Sequence, residues 1–175
     1  MNEIEAIELL AKTGCSGRVI EHCMAVAAYA REIAEDIRSF ALRRGEHVDI
    51  DIEIVYLGGL LHDIGRSRTH GIFHAVEGAC IARENGLDEK LVNIMERHIG
   101  AGIPREEAAE LGLPVKDYLP LTLEEKIVAH ADNLVSGKRV VSLDELVTGL
   151  RNKKIDEKII QRIIGLNDEI CSMIC

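Results

Sequence analysis

Apolar residues recur with the spacing of an α-helix along almost the whole chain, and this periodicity predicts an all-α fold. The longest such pattern begins at Ser16, which is a suitable N-cap, and runs to about Arg44, where Gly45 ends it. The segment 50–54 alternates like a strand, but it is short and leads directly into a helical pattern. We therefore expect packed helices and no substantial sheet.

Caps, glycines and prolines divide the chain into further predicted helices, and no linker or change in composition separates them into two parts. We expect one domain over residues 1–175, with a core of about 16–139 and closing C-terminal helices within 142–174. The predicted helices cover residues 2–13, 16–44, 51–64, 74–85, 88–98, 104–109, a segment that starts at Thr122 with Glu125 as a capping box, 142–152 and 156–173.

Composition limits the kind of partner. Of the 175 residues, 47% are hydrophobic and only 3% are aromatic, which suits closely packed helices. The net charge of −9 argues against a protein that holds long nucleic acid on a broad basic face. A small phosphorylated substrate remains compatible with this charge, because a bound metal reverses the local field. The oligomeric state stays open.

The cysteines indicate a reducing compartment. Their number is five, they form no CxxC pair, and no secretory signal precedes them, so we expect reduced thiols in a cytoplasmic protein. Cys171 and Cys175 could bind a metal or pair between chains, or simply belong to a terminal helix. The longest apolar run, residues 54–61, is too short to span a membrane.

Four side chains of metal-binding type stand out on the helical segments. His62 and Asp63 are adjacent, His22 lies forty residues upstream of His62, and Asp132 lies on a later helix. A set of imidazole and carboxylate ligands suits Mn, Fe, Co, Ni or Zn better than Ca or Mg. The glycine pair 58–59, one turn before His62, allows a neighbouring helix to come close. The competing interpretation is that each histidine is a hydrogen-bonded core residue.

These residues carry a resemblance to a known family. His22, the run 61–65 (Leu-His-Asp-Ile-Gly) and the pair Ala131-Asp132 resemble the HD superfamily of metal-dependent phosphohydrolases, over residues 16 to about 139. The resemblance implies an all-α, single-domain bundle with a divalent metal held by His22, His62, Asp63 and Asp132 at its centre. Members commonly hydrolyse phosphomonoesters or phosphodiesters of nucleotides.

In several members two further histidines bind a second metal. His74 matches the first of these, and His98 lies where the second is expected. Many two-metal members carry adjacent histidines at that point, whereas this chain has His98-Ile99. His74 and His98 therefore have two candidate roles, as ligands of a second metal or as groups that bind the phosphate or the leaving group beside one metal.

Asp63 and Arg66 are the candidate catalytic residues. Asp63 would accept a proton from the attacking water and orient it. Arg66 stands where many relatives carry Lys, and a guanidinium can hold two phosphate oxygens at once. Lys138, close after Asp132, could add positive charge to bind the substrate, although a surface role is an equal alternative.

The predicted function is hydrolysis of a phosphomonoester or a cyclic phosphodiester of a small nucleotide-like substrate. The resemblance extends to a group of small archaeal members that includes an iron-dependent phosphodiesterase for dihydroneopterin 2′,3′-cyclic phosphate. A nucleotidase or a 2′,3′-cyclic nucleotide phosphodiesterase is a comparable alternative, and Phe73 could stack on a ring of the substrate. The rivals from other classes are a non-catalytic module that binds metal or nucleotide, and a purely structural helical domain.

Overall fold

Residues 1–174 are described in the computed structural model, and Cys175, the second of the two tail cysteines, lies outside the described residues. Within residues 1–174, nine α-helices account for almost all regular structure, and this confirms the predicted all-α fold. In chain order, the elements are α1 (Glu3–Thr13), α2 (Gly17–Arg43), α3 (Ile52–Leu61), a 3₁₀ turn (Ile64–Ser67), α4 (His74–Glu84), α5 (Glu89–Arg97), α6 (Arg105–Glu110), α7 (Leu123–Leu134), β1 (Val135–Ser136), β2 (Arg139–Val140), α8 (Leu143–Asn152) and α9 (Glu157–Ser172).

Side-chain caps start the helices where the sequence predicts them. Ser16 accepts a hydrogen bond from the main-chain N–H of Val19 at the start of α2. Thr122 accepts one from the N–H of Glu125 at the start of α7, as a capping box requires. The second half of that box is absent among the described contacts of Glu125, because its carboxylate instead accepts from the N–H of Leu121 at 2.7 Å and from Arg97.

Helix α2 packs against α3 and α7, and α3 packs also against α5 and α7. The glycine pair makes this arrangement possible. A Cβ on Gly59 would lie 2.6 Å from the Cα of Ala27 in α2, and a Cβ on Gly58 would lie 2.6 Å from Cδ1 of Ile94 in α5. The expected close approach of neighbouring helices is therefore confirmed, and it brings the end of α3 to the centre of the bundle.

Two local features differ from the prediction. Helix α3 ends at Leu61 and not at Ile64, because the chain turns so that Gly65 can pack against the start of α4. A Cβ on Gly65 would lie 1.9 Å from the carbonyl oxygen of His74, so only glycine fits there. The short hairpin of β1 and β2, with Gly137 in its turn at φ +64°, is the second difference.

Among the helices of residues 1–174, none has both the length and the hydropathy needed to cross a bilayer. The expected cytoplasmic location stays a prediction.

Candidate metal centre

The candidate ligands come from five parts of the bundle and meet at its centre. His22 lies in the second turn of α2, and Asp132 lies near the end of α7. His62 and Asp63 directly follow α3, where they are 0% and 3% exposed. The remaining two candidates are His74, the first residue of α4, and His98, the residue directly after α5. Both are buried.

All four histidines share one arrangement: the Nδ1 atom of each ring donates to a main-chain carbonyl. A carbonyl oxygen only accepts, so Nδ1 carries the hydrogen, and Nε2 of each neutral ring carries an unshared electron pair. The pairs are His22 with Gly137 at 2.9 Å, His62 with Gly59 at 2.8 Å, His74 with Gly71 at 2.8 Å, and His98 with Met95 at 2.8 Å. The four rings are thereby fixed with Nε2 directed at the carboxylates of the centre.

The first group of ligand atoms surrounds one oxygen of Asp132. Its Oδ1 lies 3.0 Å from Nε2 of His22 and 3.4 Å from Nε2 of His62. Nε2 of His62 also lies 3.7 Å from Oδ2 of Asp63, and it has no hydrogen-bond partner among the described residues. Unshared electron pairs facing a carboxylate repel it unless a proton or a cation lies between them. Ligands held about 2.0–2.2 Å from one metal ion have separations of this size.

The second group surrounds the other oxygen of Asp63. Its Oδ1 lies 3.1 Å from Nε2 of His74 and 3.6 Å from Nε2 of His98. The two Nε2 atoms lie 3.0 Å from each other. Oδ1 is buried and accepts no well-aligned hydrogen bond within the described part of the chain, although His74 is so close. Asp63 therefore lies between the two groups, with one oxygen facing each.

The charged groups of the site shift one another's pKa values. Burial alone lowers the pKa of His62, but the carboxylates of Asp63 and Asp132 outweigh burial and raise it to about 9. Burial alone raises the pKa of both carboxyl groups, but the neighbouring imidazoles outweigh it and hold each pKa well below its usual range. Both carboxylates thus stay ionised and require a positive charge nearby. The groups His22, His62, Asp132 and His62, Asp63, His98 could each hold a metal ion.

Arg66 lies at the centre in a role that its sequence position does not reveal. Its Nε donates a hydrogen bond to Oδ2 of Asp63, and its Nη1 donates a long one, 3.4 Å, to the carbonyl of His70. The side chain of Arg66 is 32% exposed. The guanidinium therefore holds Asp63 in place, and in this structure it is not free to hold a phosphate with both of its edges.

An opening of 230 Å³ leads from the surface to this centre. It is lined by Arg18, Val19, His22, Asp63, Arg66 and Gly137. The sequence reasoning named His22, Asp63 and Arg66 as site residues and missed the other three. The periodicity of α2 could have identified Arg18, because it lies one helical turn before His22. No comparable signal exists for Gly137, whose main-chain carbonyl fixes the ring of His22.

The other candidates lie further from the opening or outside it. The ammonium group of Lys138 pairs with Glu21 at 3.2 Å, and both side chains are exposed. Phe73 directly precedes α4 and is 40% exposed. Cys171 lies in α9, and the idea that it binds a metal together with Cys175 falls outside the described residues.

The fold and the grouping of histidines and aspartates agree with one family. The profile of the HD domain matches residues 19–137, which is more than half of the 175 residues. The chain belongs to the HD-domain family. The matched segment contains all six of the histidine and aspartate residues described above, so the family assignment and the centre concern the same part of the chain.

Two relatives and one solved structure show how far the likeness extends. The chain is 54% identical to an uncharacterised protein of Methanocaldococcus jannaschii, over 98% of this chain and 99% of that one. It is 42% identical to a tRNA (cytidine(56)-2′-O)-methyltransferase of Thermoplasma volcanium, over 99% of this chain but only 48% of the methyltransferase. The chain thus spans about half the length of that relative.

The solved structure is the HD domain of the L. monocytogenes phosphodiesterase PgpH in complex with cyclic-di-AMP. The two folds superpose with a TM-score of 0.52 over 97% of this chain and 95% of that domain. At 16% sequence identity, this likeness shows the fold alone.

Proposed function

We propose that this chain is a metal-dependent phosphohydrolase that cleaves a phosphomonoester or a cyclic phosphodiester of a small nucleotide-like substrate. One observation carries the proposal: the Nε2 atoms of four histidines, each ring fixed by its Nδ1 hydrogen bond, face two ionised carboxylates beside an opening. Such an array needs a cation, and its nitrogen and oxygen ligands suit Mn, Fe, Co, Ni or Zn. When bound, such an ion lowers the pKa of a coordinated water and polarises a phosphoryl oxygen.

His22, His62, Asp63 and Asp132 would hold the first ion. We further propose His74 and His98, with Asp63 between the groups, as ligands of a second ion. Support for the second ion comes from the 3.0 Å separation of the two Nε2 atoms. Two neutral imidazoles with their unshared pairs so close repel each other unless a cation or a proton joins them. This assignment is preferred to phosphate binding by His74 and His98, because the electron pairs of both rings are turned towards Asp63.

The residues of the chain orient the reactants. Arg66 holds Oδ2 of Asp63, and Oδ1 faces His74, so Asp63 has a fixed position between the two groups. Its strongly lowered pKa disfavours proton uptake, and orientation of the attacking water is therefore the better supported role of Asp63. His62 and Asp63 are buried, and Asp63 also lines the opening through which a substrate would approach.

The size of the opening favours a small substrate. A volume of 230 Å³ matches part of a mononucleotide better than a long polymer, and the net charge of −9 also argues against long nucleic acid. A 2′,3′-cyclic phosphate, such as that of dihydroneopterin or of a nucleoside, is our preferred ester. A cyclic dinucleotide is a reasonable additional test substrate, because the PgpH domain was solved with cyclic-di-AMP. Methyl transfer is not proposed for this chain.

The test is hydrolysis of 2′,3′-cyclic AMP and of bis(p-nitrophenyl) phosphate by protein purified without chelator and without air. Mn, Fe, Co, Ni and Zn would be supplied one at a time. We expect turnover with at least one of them and its loss in Asp63→Asn, which keeps the shape of the side chain and removes its charge. Metal uptake without turnover of either ester, of cyclic-di-AMP or of p-nitrophenyl phosphate would favour the non-catalytic binding module. Failure to take up metal would favour the structural helical domain.

A further inference from the structure

Among the described residues that line the opening, Arg18 and Arg66 are the positively charged ones, and only Arg18 is not already engaged. It lines the same cavity as His22, Asp63 and Arg66, and it is exposed. Within residues 1–174, no acidic group lies within 4.0 Å of its guanidinium, and it forms no side-chain hydrogen bond. Arg66, in contrast, already donates to Asp63.

The position of Arg18 follows from the helix. Arg18 and His22 are four residues apart in α2, so they lie on the same face, with Arg18 one turn nearer the start of the helix. Val19 fills the space beside them at the opening. Arg18 and Asp63 therefore line the same opening, and an anion bound there lies within the field of the guanidinium.

A guanidinium at this position favours binding of an anion. Arg18 can offer two parallel N–H groups to phosphate oxygens, and it breaks no contact in doing so. Arg66 already uses Nε on Asp63 and Nη1 on the carbonyl of His70, so only part of its guanidinium is open to a phosphate. The positive charge of Arg18 also offsets the repulsion between an anionic substrate and a chain of net charge −9.

We propose that Arg18 is a substrate-binding residue that holds the phosphoryl oxygens of the substrate at the opening, while Arg66 remains bound to Asp63. This inference rests on the function proposed above and deepens it. It assigns the recognition of the anionic group to a residue outside the histidine and aspartate groups, and it restricts the substrate to compounds with a phosphate that reaches the mouth of the opening.

The experiment compares Arg18→Gln with Arg18→Lys, and uses Arg38→Gln as the matched control. Arg38 is an exposed residue of the same helix, and twenty residues at 1.5 Å each place it roughly 30 Å from Arg18. The control makes the same change in net charge. Binding of inorganic phosphate to the Mn-loaded protein would be measured by titration calorimetry, together with KM and kcat for 2′,3′-cyclic AMP and the metal content of each variant.

We expect Arg18→Gln to weaken phosphate binding and to raise KM by about tenfold, with metal content unchanged and a smaller effect on kcat. Arg18→Lys should recover part of the loss, and Arg38→Gln should match the wild type. Phosphate affinity and KM of Arg18→Gln within twofold of the wild type would overturn the proposal, and so would an equal loss in Arg38→Gln. A wild-type protein that does not bind phosphate would also overturn it.

The outcomes separate this inference from the proposed function. If the wild type binds phosphate, Arg18→Gln weakens that binding and no ester is hydrolysed, the role of Arg18 stands and the phosphohydrolase proposal fails. If esters are hydrolysed and Arg18→Gln behaves as the wild type, the phosphohydrolase proposal stands and the role of Arg18 fails.

Discussion

The guanidinium of Arg66 donates a hydrogen bond from Nε to Oδ2 of Asp63, the carboxylate that lies between the two groups of imidazole nitrogens. Asp63 is almost fully buried, whereas Arg66 is partly exposed at the opening. Arg66 therefore connects the surface of the opening to the carboxylate at the centre, and its main effect should be on the position of Asp63.

Replacing Arg66 tests this relationship. In Arg66→Gln, Asp63 loses its charged partner, and we expect kcat to fall by roughly 10- to 100-fold, because a charge-assisted hydrogen bond at a reacting centre is lost. Metal content should stay close to that of the wild type, since the imidazole nitrogens and Asp132 remain. Arg66→Lys should recover part of the activity. A variant with unchanged kcat and a raised KM alone would instead indicate that Arg66 binds the substrate.

The contact between α2 and α3 depends on Gly59. In Gly59→Ala, the new Cβ would lie 2.6 Å from the Cα of Ala27, so the two helices must move apart. We expect the free energy of unfolding in urea to fall by about 1–3 kcal/mol, which is typical of an overpacked contact. The matched control is Gly149→Ala in α8, where no atom lies within 4 Å of the new Cβ. That change should be neutral or stabilising by up to about 1 kcal/mol.

The sequence predicted most of the fold because the boundaries of most helices depend on residues that are close together in the chain. Ser16, Asp51 and Thr122 each cap a helix start through their own side chains, and this chemistry is visible in the sequence. The early end of α3 is different, because it depends on how closely Gly65 approaches His74 in space. Periodicity within one segment contains no information about such a contact.

The candidate site was predictable to a similar extent. The types and order of the histidines and aspartates, together with the family resemblance, identified the six residues that the structure brings together. Their roles as ligands stay predictions. The hydrogen bond from Arg66 to Asp63 depends on how the helices pack, and so does the lack of a partner for Arg18 among the described residues. Neither can be read from the sequence. The carbonyl of Gly137 that fixes His22 belongs to a hairpin of two-residue strands, which is too short for an alternating pattern.

The stability of the metal-free protein should depend on pH through His62. Its pKa is raised from the ordinary value of 6.5 to about 9, because the carboxylates of Asp63 and Asp132 stabilise the protonated ring. The folded state therefore binds this proton more tightly than the unfolded state. The resulting stabilisation is complete below about pH 6.5 and is lost as the pH rises through about 9.

Urea unfolding in the presence of a chelator, at intervals from pH 6 to pH 9.5, would measure this effect. We expect the free energy of unfolding to decline over that range, and the decline to be much smaller in His62→Asn. Addition of Mn should remove the decline, because the ion takes the place of the proton and binds better as the pH rises. A pH-independent stability in the chelated wild type would contradict the proposed charge state of the centre.

Metal content per chain tests the central claim most directly. Elemental analysis of protein purified without chelator and without air should give about two equivalents of a divalent transition metal, and about one in His74→Ala. One equivalent in both proteins would limit the account to the group of His22, His62, Asp63 and Asp132. No metal in the wild type, and none taken up on addition of Mn or Fe, would contradict the account as a whole.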